Sequence, residues 1–472
     1  MRPNILLITD DQHRFDFFGR SGAVPALRTP NWDRLVEEGA LFERAYSNCP
    51  VCMPTRFTWL YGLYASQAPA GLLGNAHDWP TAYTSIAHLL QEADYSTALI
   101  GKLHSKAGVF FHNIVKDEAE TRARGFDYVD EVSGKALAYW FDCRWTEHLE
   151  EIGKLDYYRS RFTDMQAVFE YGEPVPIDLE PEDTMDGYIG GKAREYLQSV
   201  STDKPFFAHV SFCGPHFPID PPEKYWGMYR DAEVPPPEGV EDVEKIEEWQ
   251  DRRRRYCALI HQLDDEIGSL LSMLEERGLA ENTLVIYACD HGDMMGWNDQ
   301  KHKSRPYEFS ARTPMIARWP GRIAAGQVFD DPIEAVDLPA TIIDAAGVAS
   351  DIREKIPESP GRSFLPLATG KGAAAREWAY SEWGMGEKAW RMVYADGWKY
   401  IERGNGECEL YDVIADPLEA QNRVSDPGQA GRVSTMRSQL VRSMMQCVAP
   451  STVPVPPGIT DPEKIHAPRK GV

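Results

Sequence analysis

The stretch Asn4–Gln12 reads NILLITDDQ and combines a short apolar run with two adjacent aspartates. The aliphatic and β-branched residues before the aspartates are typical of a buried strand. A second apolar run, NTLVIYAC at Asn282–Cys289, is followed directly by Asp290 and His291. Both stretches therefore predict strands that end in polar, ionisable side chains. These two strand ends are candidates for a functional site.

Helix-like and strand-like segments alternate around these two stretches. TPNWDRLVEEG (29–39) and TAYTSIAHLLQEA (81–93) predict helices, each capped by its first threonine. STALIG (96–101) and KPFFAHVSF (204–212) predict further strands. Such alternation predicts an α/β fold with a large mixed, mainly parallel sheet sandwiched by helices. In folds of this kind, ligands bind beyond the carboxyl ends of the strands.

The pattern changes near residue 370, which predicts a second domain. The segment 368–377 is small and polar, and RMVYADGWKYI (391–401) predicts a hairpin that turns at Asp396-Gly397. The last residues are rich in proline and show no periodicity, so we expect them to be extended and to contact a neighbouring subunit of a homo-oligomer. The predicted parts are a catalytic domain (1–370), a smaller antiparallel α+β domain (371–448) and a proline-rich tail (449–472).

Charge and the N-terminal residues narrow the expected partners and location. The 472 residues include 50 Lys plus Arg and 73 Asp plus Glu, for a net charge of −23. We therefore expect neither nucleic acid nor an anionic membrane as a partner. The N-terminus lacks the apolar core of a signal peptide, and no run reaches membrane-spanning length, so a cytoplasmic location is expected. In that compartment the eight cysteines should be mainly buried thiols.

Two overlapping cysteine patterns occur in NCPVCMPTR (48–56). Cys49 and Cys52 form a CxxC, which is typical of a dithiol redox pair or half of a zinc site, but the sequence has no second CxxC. Cys52 also opens CMPTR, where a helix starting near Pro54 would place it among backbone N–H groups that favour an anion. Arg56 can turn back to bind the same anion. We favour this second interpretation and regard Cys49 as a buried thiol.

These motifs resemble, in the same order, those of the formylglycine-dependent sulfatases of the alkaline-phosphatase superfamily. CMPTR matches the family signature C-x-P-[ST]-R, and NILLITDDQ resembles the opening strand with its metal-binding aspartates. The other segments that resemble the family are GKLH (101–104), GPHFPIDPP (214–222), the stretch from LDDEIGS to CDHGDMMG (263–296), KSRPYEFSARTPMI (303–316) and ELYDVIADPLEAQNR (409–423). The resemblance thus extends from about Asn4 to Arg423.

The resemblance implies a metal ion and a modified nucleophile. Asp10, Asp11, Asp290 and His291 would bind one divalent cation, and the hydroxyl derived from Cys52 would complete the set. Carboxylate ligands favour Ca²⁺, with Mg²⁺ or Mn²⁺ as alternatives, and His291, where many relatives have Asn, shifts the preference toward Mn²⁺. Cys52 would be converted to formylglycine, so a formylglycine-generating enzyme is an implied partner.

The resemblance also implies the catalytic roles. Lys102 would hold the formylglycine hydrate or the sulfate, and His104 would take the proton of the remaining hydroxyl so that sulfate is expelled. His216 and Lys303 would anchor a sulfate oxygen and protonate or stabilise the leaving oxygen, with Lys301 as the substitute for Lys303. The implied catalytic set is Cys52, Arg56, Lys102, His104, His216 and Lys303.

The predicted function is hydrolysis of a small-molecule sulfate ester to sulfate and an alcohol or phenol. The main alternative is a phosphonate monoester or phosphodiester hydrolase, which shares the formylglycine and the fold. A binding protein on the same scaffold would require a broken set of site residues, and none is broken in the sequence. A dithiol oxidoreductase would require a reversible disulfide between Cys49 and Cys52 and would leave the acidic strand ends unexplained.

Overall fold

A computed structural model describes most of the chain. The described residues are 2–68, 71–81, 83–107, 113–162, 168, 176–348, 359–373 and 376–447. The predicted tail at 449–472, and with it the expected oligomer contact, lies outside them. Within the described residues, no helix combines the length and the apolar character needed to cross a membrane.

Strands and helices alternate along most of the described chain. The strands are β1 (Asn4–Asp11), β2 (Ala40–Phe42), β3 (Ala45–Tyr46), β4 (Ser96–Lys102), β5 (Tyr128–Val132), β6 (Phe206–Pro215), β7 (Thr283–Cys289), β8 (Arg312–Thr313), β9 (Met315–Arg318), β10 (Gln327–Phe329), β11 (Ile333–Glu334), β12 (Ala379–Trp383), β13 (Trp390–Ala395), β14 (Trp398–Arg403) and β15 (Cys408–Asp412). The helices are α1 (Pro30–Glu38), α2 (Cys52–Tyr61), α3 (Ile86–Glu92), α4 (Glu118–Arg122), α5 (Arg144–Glu151), α6 (Leu155–Ser160), α7 (Met185–Ser199), α8 (Glu223–Tyr229), α9 (Val243–Glu276), α10 (Glu308–Ala311), α11 (Asp337–Ala345), α12 (Leu365–Ala368) and α13 (Ala430–Gln446).

The large sheet has the strand order β10-β2-β9-β7-β1-β6-β4-β5. Five of its eight strands, β5, β4, β6, β1 and β7, are mutually parallel, whereas β9 is antiparallel to β7 and to β2. The apolar side chains of β1 alternate between two hydrophobic clusters, with Leu6 and Ile8 in one and Ile5 and Leu7 in the other. This burial on both faces explains why residues 5–8 of the first strand are continuously apolar. The predicted fold class is confirmed.

A smaller antiparallel sheet follows in the order β12-β13-β14-β15. The predicted hairpin is confirmed: β13 pairs with β14, and both turn residues, Asp396 (φ 49°) and Gly397 (φ 78°), are left-handed as a two-residue hairpin turn requires. The division of the chain at residue 370 remains a prediction.

The helix predicted at 81–93 begins later than expected. It starts at Ile86, because the hydroxyl of Ser85, and not that of Thr81, accepts a hydrogen bond from the His88 backbone N–H. The helix predicted at 29–39 is confirmed, but the Thr29 hydroxyl accepts from the Gly19 N–H instead of capping its own helix.

Candidate active site

The strand order brings the predicted site residues to one edge of the sheet. Asp10 lies opposite Cys289 in the β1–β7 register, so the chain after β7 places Asp290 beside the end of β1. Asp11 lies opposite Pro215 at the end of β6, which places His216 next to it on the other side. Lys102 ends β4, the next strand along. The carboxyl ends of four neighbouring strands therefore carry the polar residues.

Cys52 enters this edge from α2, of which it is the first residue. The segment that precedes Cys52 is held by Asn48, which donates to the Glu334 carboxylate (3.0 Å) and to the Tyr380 carbonyl (2.8 Å). The helix ends at Tyr61 and is followed by Gly62, whose φ of 66° suits glycine. Cys52 is completely buried, so its surroundings are set by the protein.

Four residues form a compact group of potential metal ligands: Asp11, Cys52, Asp290 and His291. All four are buried, and their ligand atoms lie within 4.8 Å of one another. The Cys52 Sγ is 3.2 Å from His291 Nε2 and 3.6 Å from Asp11 Oδ1. His291 Nε2 is also 3.5 Å from Asp290 Oδ1. Two carboxylates and an imidazole facing one point fit a divalent cation.

His291 is oriented with one ring nitrogen toward this point. Its Nδ1 lies 3.0 Å from the Gly292 carbonyl oxygen, which can only accept, so Nδ1 carries the hydrogen. Nε2 is therefore the nitrogen that faces the carboxylates and is available to a metal. Burial lowers the pKa of His291, but Asp290 and Cys52 together outweigh it and the pKa is raised overall.

Asp10 lies beside this group and is held by its own partners. Its Oδ2 accepts a hydrogen bond from the Tyr287 hydroxyl at 2.7 Å and lies 2.7 Å from His13 Nδ1. Its Oδ1 is buried and has no hydrogen-bond partner among the described residues. A buried carboxylate oxygen without a partner is costly, and a bound cation would satisfy it. The donor set thus fits the divalent cation that the sequence predicts.

Arg56 uses its guanidinium to hold the acidic residues. Nε donates to Asp290 Oδ2 at 2.9 Å, and Nη2 donates to Asp11 Oδ2 at 3.3 Å. Nη1 donates to the Lys102 carbonyl and to the Ser211 hydroxyl, both at 2.7 Å. The side chain is almost fully buried. Its donors therefore face protein acceptors, so Arg56 fixes the carboxylates in place.

Two lysines add positive charge next to Cys52. Lys102 Nζ donates to Asp11 Oδ2, and Lys303 Nζ lies 2.9 Å from Cys52 Sγ while donating to Gln12 Oε1 at 2.9 Å. Burial and Asp11 raise the pKa of the Cys52 thiol, but Lys303, Lys102 and His291 outweigh them and lower it overall. Position 303, and not the alternative 301, is the lysine the structure brings to Cys52.

The two remaining predicted residues are buried histidines. Burial, together with Lys102 and Arg56, holds the pKa of His104 well below its usual range. Burial and Lys303 do the same for the pKa of His216. His216 donates from Nδ1 to the Phe217 carbonyl (2.7 Å), so that its Nε2, 4.0 Å from Asp11 Oδ1, carries no hydrogen. Both imidazoles are therefore neutral at pH 7.

Several residues of the site were not predicted from the sequence. His13 and Tyr287 hold Asp10, Ser211 accepts from Arg56, and Gln12 accepts from Lys303. Gln12 also donates through its backbone to Asp290 Oδ1 and through its side chain to Asp293. The positions of Gln12 and His13 directly after the aspartates were the available signal, whereas Ser211 and Tyr287 stand within ordinary strand sequences.

Comparison with known proteins identifies the family. The sulfatase family model matches residues 3–348, which is most of the chain. The chain belongs to the sulfatase family. A second model, the C-terminal region of N-sulphoglucosamine sulphohydrolase, matches residues 294–446. Membership makes this sulfatase a sulfuric ester hydrolase, a class in which a divalent metal and formylglycine are typical.

Named relatives of this sulfatase support the assignment over most of its length. An arylsulfatase from Clostridium perfringens is 29% identical over 471 residues, covering 94% of this chain and 95% of the relative. A choline-sulfatase from Rhizobium meliloti is 27% identical and covers 90% of this chain and 83% of the relative. The crystal structure of a phosphonate monoester hydrolase from Agrobacterium radiobacter shares the fold, with a TM-score of 0.77, 21% identity and coverage of 95% and 96%.

Proposed function

We propose that this sulfatase cleaves its sulfate ester through a formylglycine formed from Cys52, assisted by one divalent cation. The observation that carries the proposal is the convergence on Cys52 Sγ of Lys303 Nζ at 2.9 Å, His291 Nε2 at 3.2 Å and Asp11 Oδ1 at 3.6 Å. The proposed cation ligands are Asp10, Asp11, Asp290 and His291. Calcium is the favoured ion, with magnesium and manganese as alternatives.

The divalent cation and the formylglycine would supply separate parts of the chemistry. A divalent cation supplies positive charge for oxygens of the sulfate, and the hydrated aldehyde supplies one hydroxyl as the nucleophile and a second for sulfate release. The position of Cys52 at the start of α2 supports this role, because backbone N–H groups at a helix start favour negative oxygen.

Lys102 and Lys303 provide the positive charge that the chain itself contributes to the transition state. Burial lowers the pKa of Lys102, but Asp11 and Cys52 raise it above its ordinary value overall, so this lysine stays protonated. Lys303 lies next to Cys52, and we assign it to stabilising the leaving oxygen, whereas the hydrogen-free Nε2 of His216 can only accept a hydrogen bond. A buried positive charge acts more strongly than one in water because the surroundings screen it less.

His104 is the proposed proton acceptor for sulfate release. Its imidazole is neutral at pH 7, because burial and the nearby cations hold its pKa low, and a neutral ring nitrogen can take a proton from a hydroxyl. Its Nδ1 is buried and has no hydrogen-bond partner among the described residues, so it is free for that purpose.

We assign Arg56 to positioning rather than to direct sulfate binding. Its contacts with Asp290 and Asp11 hold the two carboxylates that face Cys52. The planar guanidinium holds its donors in a fixed geometry, so one hydrogen bond to each carboxylate fixes the two carboxylates relative to each other better than a lysine would.

The proposal is tested by comparing two esters of the same leaving group. We expect kcat/KM for an aryl sulfate to exceed that for the matching phosphodiester, with inorganic sulfate released. Cys52→Ala should abolish sulfate release. The matched control Cys49→Ala should retain it, because Cys49 is a buried thiol that packs with Val51 and Ala65. Sulfate release that survives Cys52→Ala would overturn the proposal.

A phosphonate monoester or phosphodiester hydrolase is the second candidate. The observation that favours it is the fold that this chain shares with the phosphonate monoester hydrolases of Agrobacterium radiobacter and Silicibacter pomeroyi, each with a TM-score of 0.77. A higher kcat/KM for the phosphodiester than for the sulfate ester would establish this alternative.

A further inference from the structure

The backbone around Lys303 is held in a conformation that non-glycine residues rarely adopt. His302 has a φ of 64° and Ser304 a φ of 69°, so both neighbours of Lys303 are left-handed. Met295, Asn298 and Asp299, earlier in the same loop, also have positive φ. For residues with a Cβ this conformation is unfavourable and persists only where other contacts impose it.

The contacts that impose it come from two other parts of the protein. The indole Nε1 of Trp390 donates a hydrogen bond to the Ser304 carbonyl at 3.0 Å. The Ser304 N–H donates to the carbonyl of Pro50 at 3.0 Å. Trp390 belongs to β13 of the small sheet and is only 2% exposed, whereas Pro50 lies two residues before Cys52. Ser304 is therefore tied on one side to the small sheet and on the other to the approach to Cys52.

We propose that Trp390 is a positioning residue for Lys303. Its indole N–H holds the Ser304 carbonyl, and this keeps the strained segment in the conformation that places Lys303 Nζ 2.9 Å from Cys52 Sγ. The inference rests on the proposed function, in which Lys303 stabilises the leaving oxygen. It gives the small C-terminal sheet an indirect part in leaving-group stabilisation, because Trp390 acts on Lys303 through Ser304.

Within the loop, the Met294 N–H also donates to the carbonyl of His302, the other neighbour of Lys303, at 2.7 Å, and two further bonds hold the loop at residues more distant from Lys303. Trp249 Nε1 donates to Asp299 Oδ1 at 3.0 Å, and Trp297 Nε1 donates to the Leu418 carbonyl at 3.1 Å. These bonds fix residues 297–299, whereas the Trp390 bond acts on the residue next to Lys303. Removing the Trp390 donor should therefore disturb Lys303 while the rest of the loop stays attached.

The test is Trp390→Phe, assayed with aryl sulfates whose phenols differ in acidity. A weakly acidic phenol needs more stabilisation of its leaving oxygen, so misplacing Lys303 should cost more with such substrates. We expect little loss of kcat/KM for the most acidic phenol and a loss of roughly tenfold to a hundredfold for the least acidic. The matched control is Trp145→Phe, since Trp145 is 1% exposed and donates to the Asp183 carbonyl at 2.9 Å away from this loop. It should leave the dependence on phenol acidity unchanged.

A second variant keeps the test informative if the tryptophan substitution weakens folding. Glycine adopts a φ of 69° readily, so Ser304→Gly combined with Trp390→Phe should recover part of the loss, measured against Ser304→Gly alone. If Trp390→Phe lowers kcat/KM equally for all phenols, while Lys303→Ala makes kcat/KM depend more steeply on phenol acidity, the proposal for Trp390 is overturned and the role of Lys303 is kept. An unchanged dependence in Lys303→Ala would instead overturn the role of Lys303 in the proposed function, and the inference with it.

Discussion

Asp11 shows how much of the site depends on single side chains. It accepts from Lys102 and Arg56, and its Oδ1 lies 3.6 Å from Cys52 Sγ and 3.7 Å from His291 Nε2. Burial raises the pKa of Asp11, but the cations Lys102, Arg56 and Lys303 lower it well below its usual range overall. The carboxylate therefore stays ionised inside the protein, as a metal ligand must.

His291 is the imidazole ligand beside two carboxylates in this group, and substituting it should change the metal preference of the site. His291→Asn replaces an imidazole nitrogen by an amide oxygen, which suits Ca²⁺ better than Mn²⁺. We expect the ratio of Mn²⁺ to Ca²⁺ affinity, measured by titration calorimetry, to fall roughly tenfold or more. Asp290→Asn serves as a control that removes a charge and should weaken both ions. An unchanged ratio in His291→Asn would argue against His291 as a ligand.

At the scale of elements, local sequence signals worked where a strand or helix is determined by its own residues. Residues 5–8 of β1 and 284–286 of β7 are continuously apolar because both faces of these strands are buried, and the positions of the two strands follow from sequence alone. The start of α3 was misplaced because two neighbouring polar residues, Thr81 and Ser85, both suit a helix cap, and only the folded contacts select Ser85. The actual bond of the Thr29 hydroxyl to Gly19 also depends on a loop that the local pattern does not determine.

β5 contains a buried carboxyl that should make stability depend on pH. Burial raises the pKa of Glu131 to about 7, although Thr121, Arg124 and Lys106 oppose it. Because the folded pKa exceeds the unfolded one, the folded state binds more protons between about pH 4.5 and 7, and stability falls as pH rises through that window. Glu131→Gln should therefore be more stable than the wild type at pH 8, by at most about 3 kcal/mol, and similar to it at pH 4.5.

Urea unfolding of both proteins at these two pH values measures this difference. The exposed Glu150 provides the matched control, since Glu150→Gln should show no such pH-dependent gain. A stability difference between Glu131→Gln and the wild type that does not grow with pH would show that Glu131 is ionised in the folded state.

At the scale of the whole molecule, the sequence predicted the identity of the site residues more fully than the hydrogen bonds that connect them. The order of the motifs pointed to Cys52 and Lys303, which meet although 251 positions separate them. The supporting bonds could not be predicted, because Tyr287, Ser211 and Trp390 belong to strands whose sequences serve packing equally well. Their roles follow only from which strands become neighbours.

The small sheet is joined to the rest of the molecule by a buried ionic cluster. Lys399 is fully buried, with its Nζ 2.6 Å from Glu308 Oε1 and 2.9 Å from Glu419 Oε1. Lys399→Met would leave two buried carboxyl groups without this cation, and we expect the free energy of unfolding to fall by about 3–5 kcal/mol. The exposed Lys388, just before β13, provides the control Lys388→Met, which should change it by less than about 0.5 kcal/mol. Equal effects of the two substitutions would contradict the role of the cluster.

The central claim is that Cys52 becomes the nucleophile after conversion to formylglycine, and the mass of one peptide tests it most directly. Trypsin should release Ala45–Arg56, which contains both Cys49 and Cys52. After reduction and alkylation of protein that releases sulfate from an aryl sulfate, we expect one alkylated cysteine at position 49 and an aldehyde at position 52. Two alkylated cysteines and no aldehyde in such active protein would contradict the account.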